Sequence, residues 1–113
     1  MHEYSIVQAL LNQCEDIAKK HNAKEVKRVI TKIGKLSGVE PYLLESAFET
    51  FKEGTICERA ILQIDIQDII IYCQNCKRDF VVKEFALACP ECQSLNTNIV
   101  DGEDMYLMSL EME

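Results

Sequence analysis

The sequence predicts an α+β fold: two helices on a three-stranded mixed sheet, with a small cysteine-rich module inserted before the last strand. Three observations predict it. Two stretches carry apolar residues at helical three-four spacing, three others alternate or are β-branched, and between them lies a run of polar residues, turns and thiols. At 113 residues the chain has the length of one domain with a small satellite. The expected division is residues 1–70 plus 101–113 for the α/β part and 71–100 for the insertion.

The elements follow in order. From Ser5 to His21, Ile6, Val7, Leu10, Leu11, Cys14, Ile17 and Ala18 form one helical face, and Ser5 with Gln8 has the form of a capping box. That reading places Met1 to Tyr4 ahead of the first turn. Val26 to Leu36 is β-branched, with Val29, Thr31 and Ile33 on one side and Arg28, Ile30 and Lys32 on the other, a strand with one face covered. Gly34 and Ser37-Gly38 make a turn, Pro41 suits a first helical position, and Leu43, Leu44, Ala47, Phe48 and Phe51 give a second apolar stripe ending at Gly54. Ala60 to Ile66 alternates again, so strand, helix and strand predict a right-handed crossover between parallel neighbours. Ile69 to Tyr72 leads into the cysteines. Met105 to Met112 is apolar on both faces and long enough to rejoin the first sheet.

Composition narrows the function. With 48% hydrophobic and 27% charged residues the chain suits a packed globule. No apolar run reaches the roughly eighteen residues of a membrane span, and the first fifteen positions lack a signal peptide's basic flank and cleavage site, so the expectation is a cytoplasmic protein with no membrane partner. A formal charge of −7 repels phosphate backbones, so no nucleic-acid partner is expected. The densest basic set, Lys24, Lys27, Arg28 and Lys32, reads as the solvated side of a strand.

Four of the six cysteines form a pattern: Cys73-Gln-Asn-Cys76, twelve residues, then Cys89-Pro-Glu-Cys92. Each pair makes a tight turn whose sulfurs converge, and four thiolates complete a tetrahedral shell around Zn2+ with no place left for water. Such a site is structural. The competing readings are a redox dithiol, which wants a helix start that these symmetric pairs lack, and buried unligated thiols. Cys14 reads as a small core residue and Cys57 as an incidental thiol. Zinc ribbons also serve transcription and polymerase assemblies, which makes a zinc-ribbon scaffold or transcription adaptor the rival function. Against it, Lys77, Arg78 and Lys83 are balanced by Asp79, Glu84 and Glu91, with no interleaved aromatics. Beyond His2 and His21 there is no histidine for acid-base work, and no enzyme activity is expected.

The first residues, Met-His-Glu-Tyr-Ser, hold a second chelating group. The amine of Met1, the deprotonated amide of His2 and its imidazole Nδ1 close five- and six-membered rings, and Glu3 offers further coordination. Ni2+ or Cu2+, which favour planar nitrogen ligands, suit such a set, whereas Zn2+ prefers the thiolates.

Taken together, M-H-E at the terminus, the amphipathic helix, "IGKLSGVEP", "AFETF", the two C-x2-C pairs and the apolar closing strand resemble the HypA family of nickel metallochaperones over essentially the full length. The resemblance implies a nickel-binding domain that uses Met1, His2 and Glu3, with an inserted zinc-ribbon module that uses Cys73, Cys76, Cys89 and Cys92. Glu40, just before Pro41, is an outlying nickel candidate, since some members place an acid at this turn; an ordinary helix-start carboxylate explains it equally well. The resemblance further implies transferable Ni2+, structural Zn2+ and delivery to the maturation machinery of the [NiFe]-hydrogenase large subunit with the GTPase HypB. In some bacteria relatives also serve urease and its accessory proteins. Histidines found near the zinc cysteines of some members are absent here, so a pH response assigned to them does not carry over.

Overall fold

The computed structural model describes residues 3–82 and 88–113. In chain order the elements are α1 (Glu3–Lys20), β1 (Val26–Gly34), α2 (Pro41–Phe51), β2 (Ile61–Gln67), β3 (Ile69–Cys73), β4 (Arg78–Val82), β5 (Thr97–Asp101) and β6 (Met105–Met112). Among the described residues the strands form two three-stranded sheets, ordered β2-β1-β6 and β4-β3-β5. As the alternation predicts, β1 and β2 are parallel with α2 between them, and β6 returns antiparallel to the other edge of β1. No helix of the described residues is long and apolar enough to cross a membrane.

The larger core lies between the helices and the first sheet. Val7, Leu10, Leu11, Cys14 and Ala18 of α1 join Val29 and Ile33 of β1 and Leu44, Ala47 and Phe48 of α2 in one buried cluster. The predicted covered face of β1 is buried at Val29, Thr31 and Ile33. Thr31 is tolerated there because its hydroxyl donates to the Gln63 carbonyl at 3.1 Å, so no polar atom is left without a partner. On the other face of β1 the basic residues are paired: Lys27 with Glu113 at 2.8 Å and Arg28 with Glu111 at 3.4 Å.

Three local expectations are corrected. α1 begins at Glu3, so Ser5 lies inside the helix and is not its cap. The Tyr4 ring meets Phe51 edge-on with centroids 5.2 Å apart, a tertiary contact that extends the helix beyond its local signal. Leu43 and Phe51, assigned to the inward stripe of α2, are exposed, and Leu44, Ala47 and Phe48 carry the burial. Finally, the two apolar faces of β6 are one face interrupted. The register steps from Thr31↔Leu107 to Ile30↔Ser109, leaving Met108 as an extra residue in a bulge. Met105 and Leu107 before the bulge, and Leu110 and Met112 after it, all pack on the same core.

The second sheet is small: its buried cluster is Ile69, Ile71 and Val82, with Leu36, Phe80 and Ile99 packed against it. It meets the first sheet where three chain segments cross. Gly34 N–H donates to the Asp104 carbonyl at 2.9 Å, Lys35 N–H to Gln67 at 3.0 Å and Leu36 N–H to Gly102 at 2.8 Å. A Cβ on Gly34 would overlap the Gly102 carbonyl, and one on Gly102, where φ is +100°, would lie 2.9 Å from the Asp68 carbonyl oxygen. Only glycine lets these backbones approach.

Beside the crossing, Lys32 Nζ of β1 reaches Asp101 Oδ2 of β5 at 3.0 Å, half-buried, and lies 5.5 Å from the centre of the Tyr106 ring. The Lys32 ammonium, together with a 2.7 Å bond from Gly102 N–H, holds the Asp101 carboxyl below the usual carboxylate range. A depressed folded-state pKa adds stability that is complete above the unfolded value of about 3.9 and is lost as pH falls through the folded one. Asp101→Asn is therefore expected to lower the urea midpoint at pH 7. The gap to the parent chain should begin to narrow as pH falls below about 4 and close only once pH has dropped through the lower folded-state value, where Asp101 is neutral in both states.

Candidate metal centre

The two cysteine pairs sit on matching turns. After Cys73 closes β3, Lys77 N–H donates back to the Cys73 carbonyl at 2.7 Å; after Cys89, Gln93 N–H does the same to the Cys89 carbonyl at 2.8 Å. Lys77 and Gln93 both have left-handed backbones, with φ of 57° and 62°, which turn the chain away after each pair. Inside each turn the second cysteine's amide donates to the first cysteine's sulfur, Cys76 N–H to Cys73 Sγ at 3.4 Å and Cys92 N–H to Cys89 Sγ at 3.5 Å. Amides aimed at sulfur stabilise a thiolate. Arg78 and Glu91 form an ion pair from one turn to the other, and the Arg78 guanidinium lies 4.8 Å from the centre of the Phe80 ring.

These turns bring all four sulfurs together. The Sγ atoms of Cys73, Cys76, Cys89 and Cys92 lie within 4.8 Å of one another, with Cys73 to Cys92 at 3.6 Å and Cys76 to Cys89 at 3.8 Å. A tetrahedron with Zn–S bonds of about 2.3 Å has sulfur–sulfur edges of roughly 3.8 Å, so the residues present fit Zn2+. Burial and then its sulfur neighbours Cys92, Cys89 and Cys73 push the Cys76 thiol up to about 12. Burial opposes ionisation of Cys89 as well, but the Cys92 amide and the surrounding thiols outweigh it and bring that thiol below its ordinary value. Four sulfurs this close cannot all be anionic without a dication among them. Cys73 and Cys89 are buried while Cys92 faces solvent, so the shell lies at the rim of the small sheet.

The other candidates separate from this centre. Met1 and His2 lie outside the described residues, and Glu3 begins α1. Glu40 is exposed and caps α2, its Oε1 accepting from Tyr42 N–H at 3.3 Å, a role that accounts for it without a metal. Lys83 and Glu84 of the ribbon's charge balance fall outside the described residues. Cys57 is not incidental: it is a free thiol fully buried in the main core, in the same cluster as Cys14. The neighbouring Cys57 thiol and burial hold the Cys14 thiol above its ordinary value, while the same neighbour brings Cys57 below its own, so only Cys14 is held in the neutral form. A conventional reading of separated cysteines offers no signal for this pairing, because the two are brought together by the fold alone.

Fold and centre together define a small α+β protein with two three-stranded sheets and a four-cysteine cluster able to hold a metal ion. The family model described as hydrogenase/urease nickel incorporation, metallochaperone, hypA matches residues 1–112. The chain is 53% identical over 113 residues to the hydrogenase maturation factor HypA of Aquifex aeolicus, covering all of this chain and 98% of that one. It is equally identical to the HypA of Shewanella baltica, covering 97% of it. The solution structure of the Ni metallochaperone HypA from Helicobacter pylori superposes with a TM-score of 0.72 at 40% identity, covering 99% of this chain and 97% of that one. This chain belongs to the HypA family, whose members carry metal and are not catalysts.

Replacing Cys73 or Cys89 with alanine removes a buried sulfur from a closed shell. Zinc content of the purified variants should fall by at least half, while far-ultraviolet circular dichroism retains the helical signal, since α1 and α2 pack in the other core. Full zinc retention in both variants would contradict the assignment.

Proposed function

We propose that this chain carries Ni2+ as cargo to the maturation machinery of [NiFe]-hydrogenase, acting in the cytoplasm with the GTPase HypB and, where the host makes it, with urease accessory proteins. Residues 1–70 with 101–113 form the nickel-carrying part and residues 71–100 the zinc part. The observation that carries the reading is the closed tetrahedron of Cys73, Cys76, Cys89 and Cys92 in a chain of a nickel-incorporation family. A shell of four thiolates has no position for a second ion, and its zinc stabilises the fold. Cargo therefore needs separate ligands.

Met1, His2 and Glu3 are the proposed set. Their chemistry suits Ni2+: an amine, an ionised amide and an imidazole favour a metal with planar nitrogen geometry over Zn2+. A ligand set at a chain end also suits delivery, because a partner can displace the donors one at a time. Glu40 is the outlying candidate, which its capping role explains without nickel. As it already caps α2, Glu40→Gln should leave nickel affinity within about twofold.

Loading this set displaces protons from the imidazole and the amine, so nickel affinity should fall as pH drops through about 6.5. His2→Ala removes the imidazole, and a single glycine placed before Met1 converts its amine to an amide. Both changes should alter the nickel absorption spectrum and depress hydrogenase maturation while zinc content is unchanged. Identical spectra and identical maturation for the three forms would refute the terminal site.

A further inference from the structure

Apolar side chains left outside the core gather on one face of the two helices. Tyr4 is 66% exposed, Leu43 49% and Phe51 40%, although the inward faces of both helices are already filled. The Tyr4 ring stands edge-on against Phe51, at 79° between planes, and forms a ridge. On one side is a cleft of about 180 Å³ bounded by Tyr4, Leu43, Ser46, Ala47 and Thr50. On the other is a shallower cleft of about 500 Å³ bounded by Tyr4, Phe51, Ser5, Gln8, Ala9 and Asn12. A ridge between two clefts accepts two apolar knobs one helical turn apart, the roughly 5–6 Å spacing of residues i and i+4.

The charged side chains that α2 exposes are all acidic. No lysine or arginine occurs between His2 and Lys19 or between Lys35 and Lys52, while Glu45 and Glu49 are exposed on α2. Lys52, just after α2, turns its ammonium inward to the Ala60 carbonyl at 3.0 Å and to Glu49 at 2.8 Å. A second copy of the chain seated here would set Glu45 and Glu49 against their own counterparts, and an anionic membrane surface would meet the same carboxylates.

We infer that this face docks an amphipathic helix of a partner protein, with apolar residues at i and i+4 flanked by lysine or arginine. The purpose of the surface rests on the nickel-carrier reading: Tyr4 follows His2 by two residues in the chain, so a partner held here brings its own ligands to the cargo. Its existence does not depend on that reading.

The test uses the zinc-loaded full chain and a synthetic helical peptide with a leucine pair at i and i+4, lysine flanks and one tryptophan. The chain has no tryptophan, so peptide fluorescence reports binding directly. Saturable binding is expected, weakened at least tenfold by Leu43→Glu, by Thr50→Arg, and by exchanging the peptide's lysines for glutamates. Ile61→Glu, in β2 and outside the clefts, should bind like the parent, as should His2→Ala, whose nickel spectrum separately tests the terminal site. Unchanged binding by Leu43→Glu and Thr50→Arg, or equal loss in Ile61→Glu, would overturn the docking face. So would a dimer in sedimentation that Leu43→Glu dissociates, since that assigns the clefts to a second copy.

Discussion

Four sulfurs within 4.8 Å of one another are the constraint on which the smaller half of this molecule depends. Protonated, they fill the rim of the sheet with weak contacts; ionised without a cation, they repel. A dication bound among them would turn both difficulties into attraction, and the amides of Cys76 and Cys92 are already aimed at the sulfurs of Cys73 and Cys89. The sheet has little else. Its buried apolar side chains, among the described residues, are Ile69, Ile71 and Val82, too few to order three strands and two turns. The larger core needs no such help, with both helices and the first sheet contributing to one cluster.

On the proposed reading the four-sulfur shell also divides the labour of the chain: an ion held by all four thiolates would serve structure, and a transferable metal would need other groups. The crossing at Gly34, Gly102 and the 67–69 segment joins the two parts through backbone contacts that no side chain could enter. Lys32 and Asp101 add an ion pair across the same seam. The cysteine turns and the first sheet thus communicate through a narrow junction with two covalent connections.

Much of this was legible in the sequence because the signals were local and strong. The C-x2-C pairs fixed which sulfurs converge, and the alternation at Val29, Thr31 and Ile33 fixed which face of β1 is covered. Less legible were features that depend on distant partners. The first turn of α1 is extended by Phe51, 47 positions after Tyr4, and the capping-box pattern at Ser5 gave no hint of it. Met108 belongs to a bulge, so a single covered face read as two apolar ones. The left-handed residues after each cysteine pair are Lys77 and Gln93, where glycine or asparagine would have announced the turn. Cys14 and Cys57 meet only because α1 packs beside the loop after α2.

The separation of a structural ion from a carried one is the central claim, and X-ray absorption at both metal edges of the full chain loaded with one zinc and one nickel tests it most directly. The account predicts four sulfur neighbours at about 2.3 Å around zinc, unchanged by nickel, and a nickel shell of nitrogen and oxygen alone. Sulfur scattering at the nickel edge, or loss of zinc sulfurs when nickel is added, would contradict it.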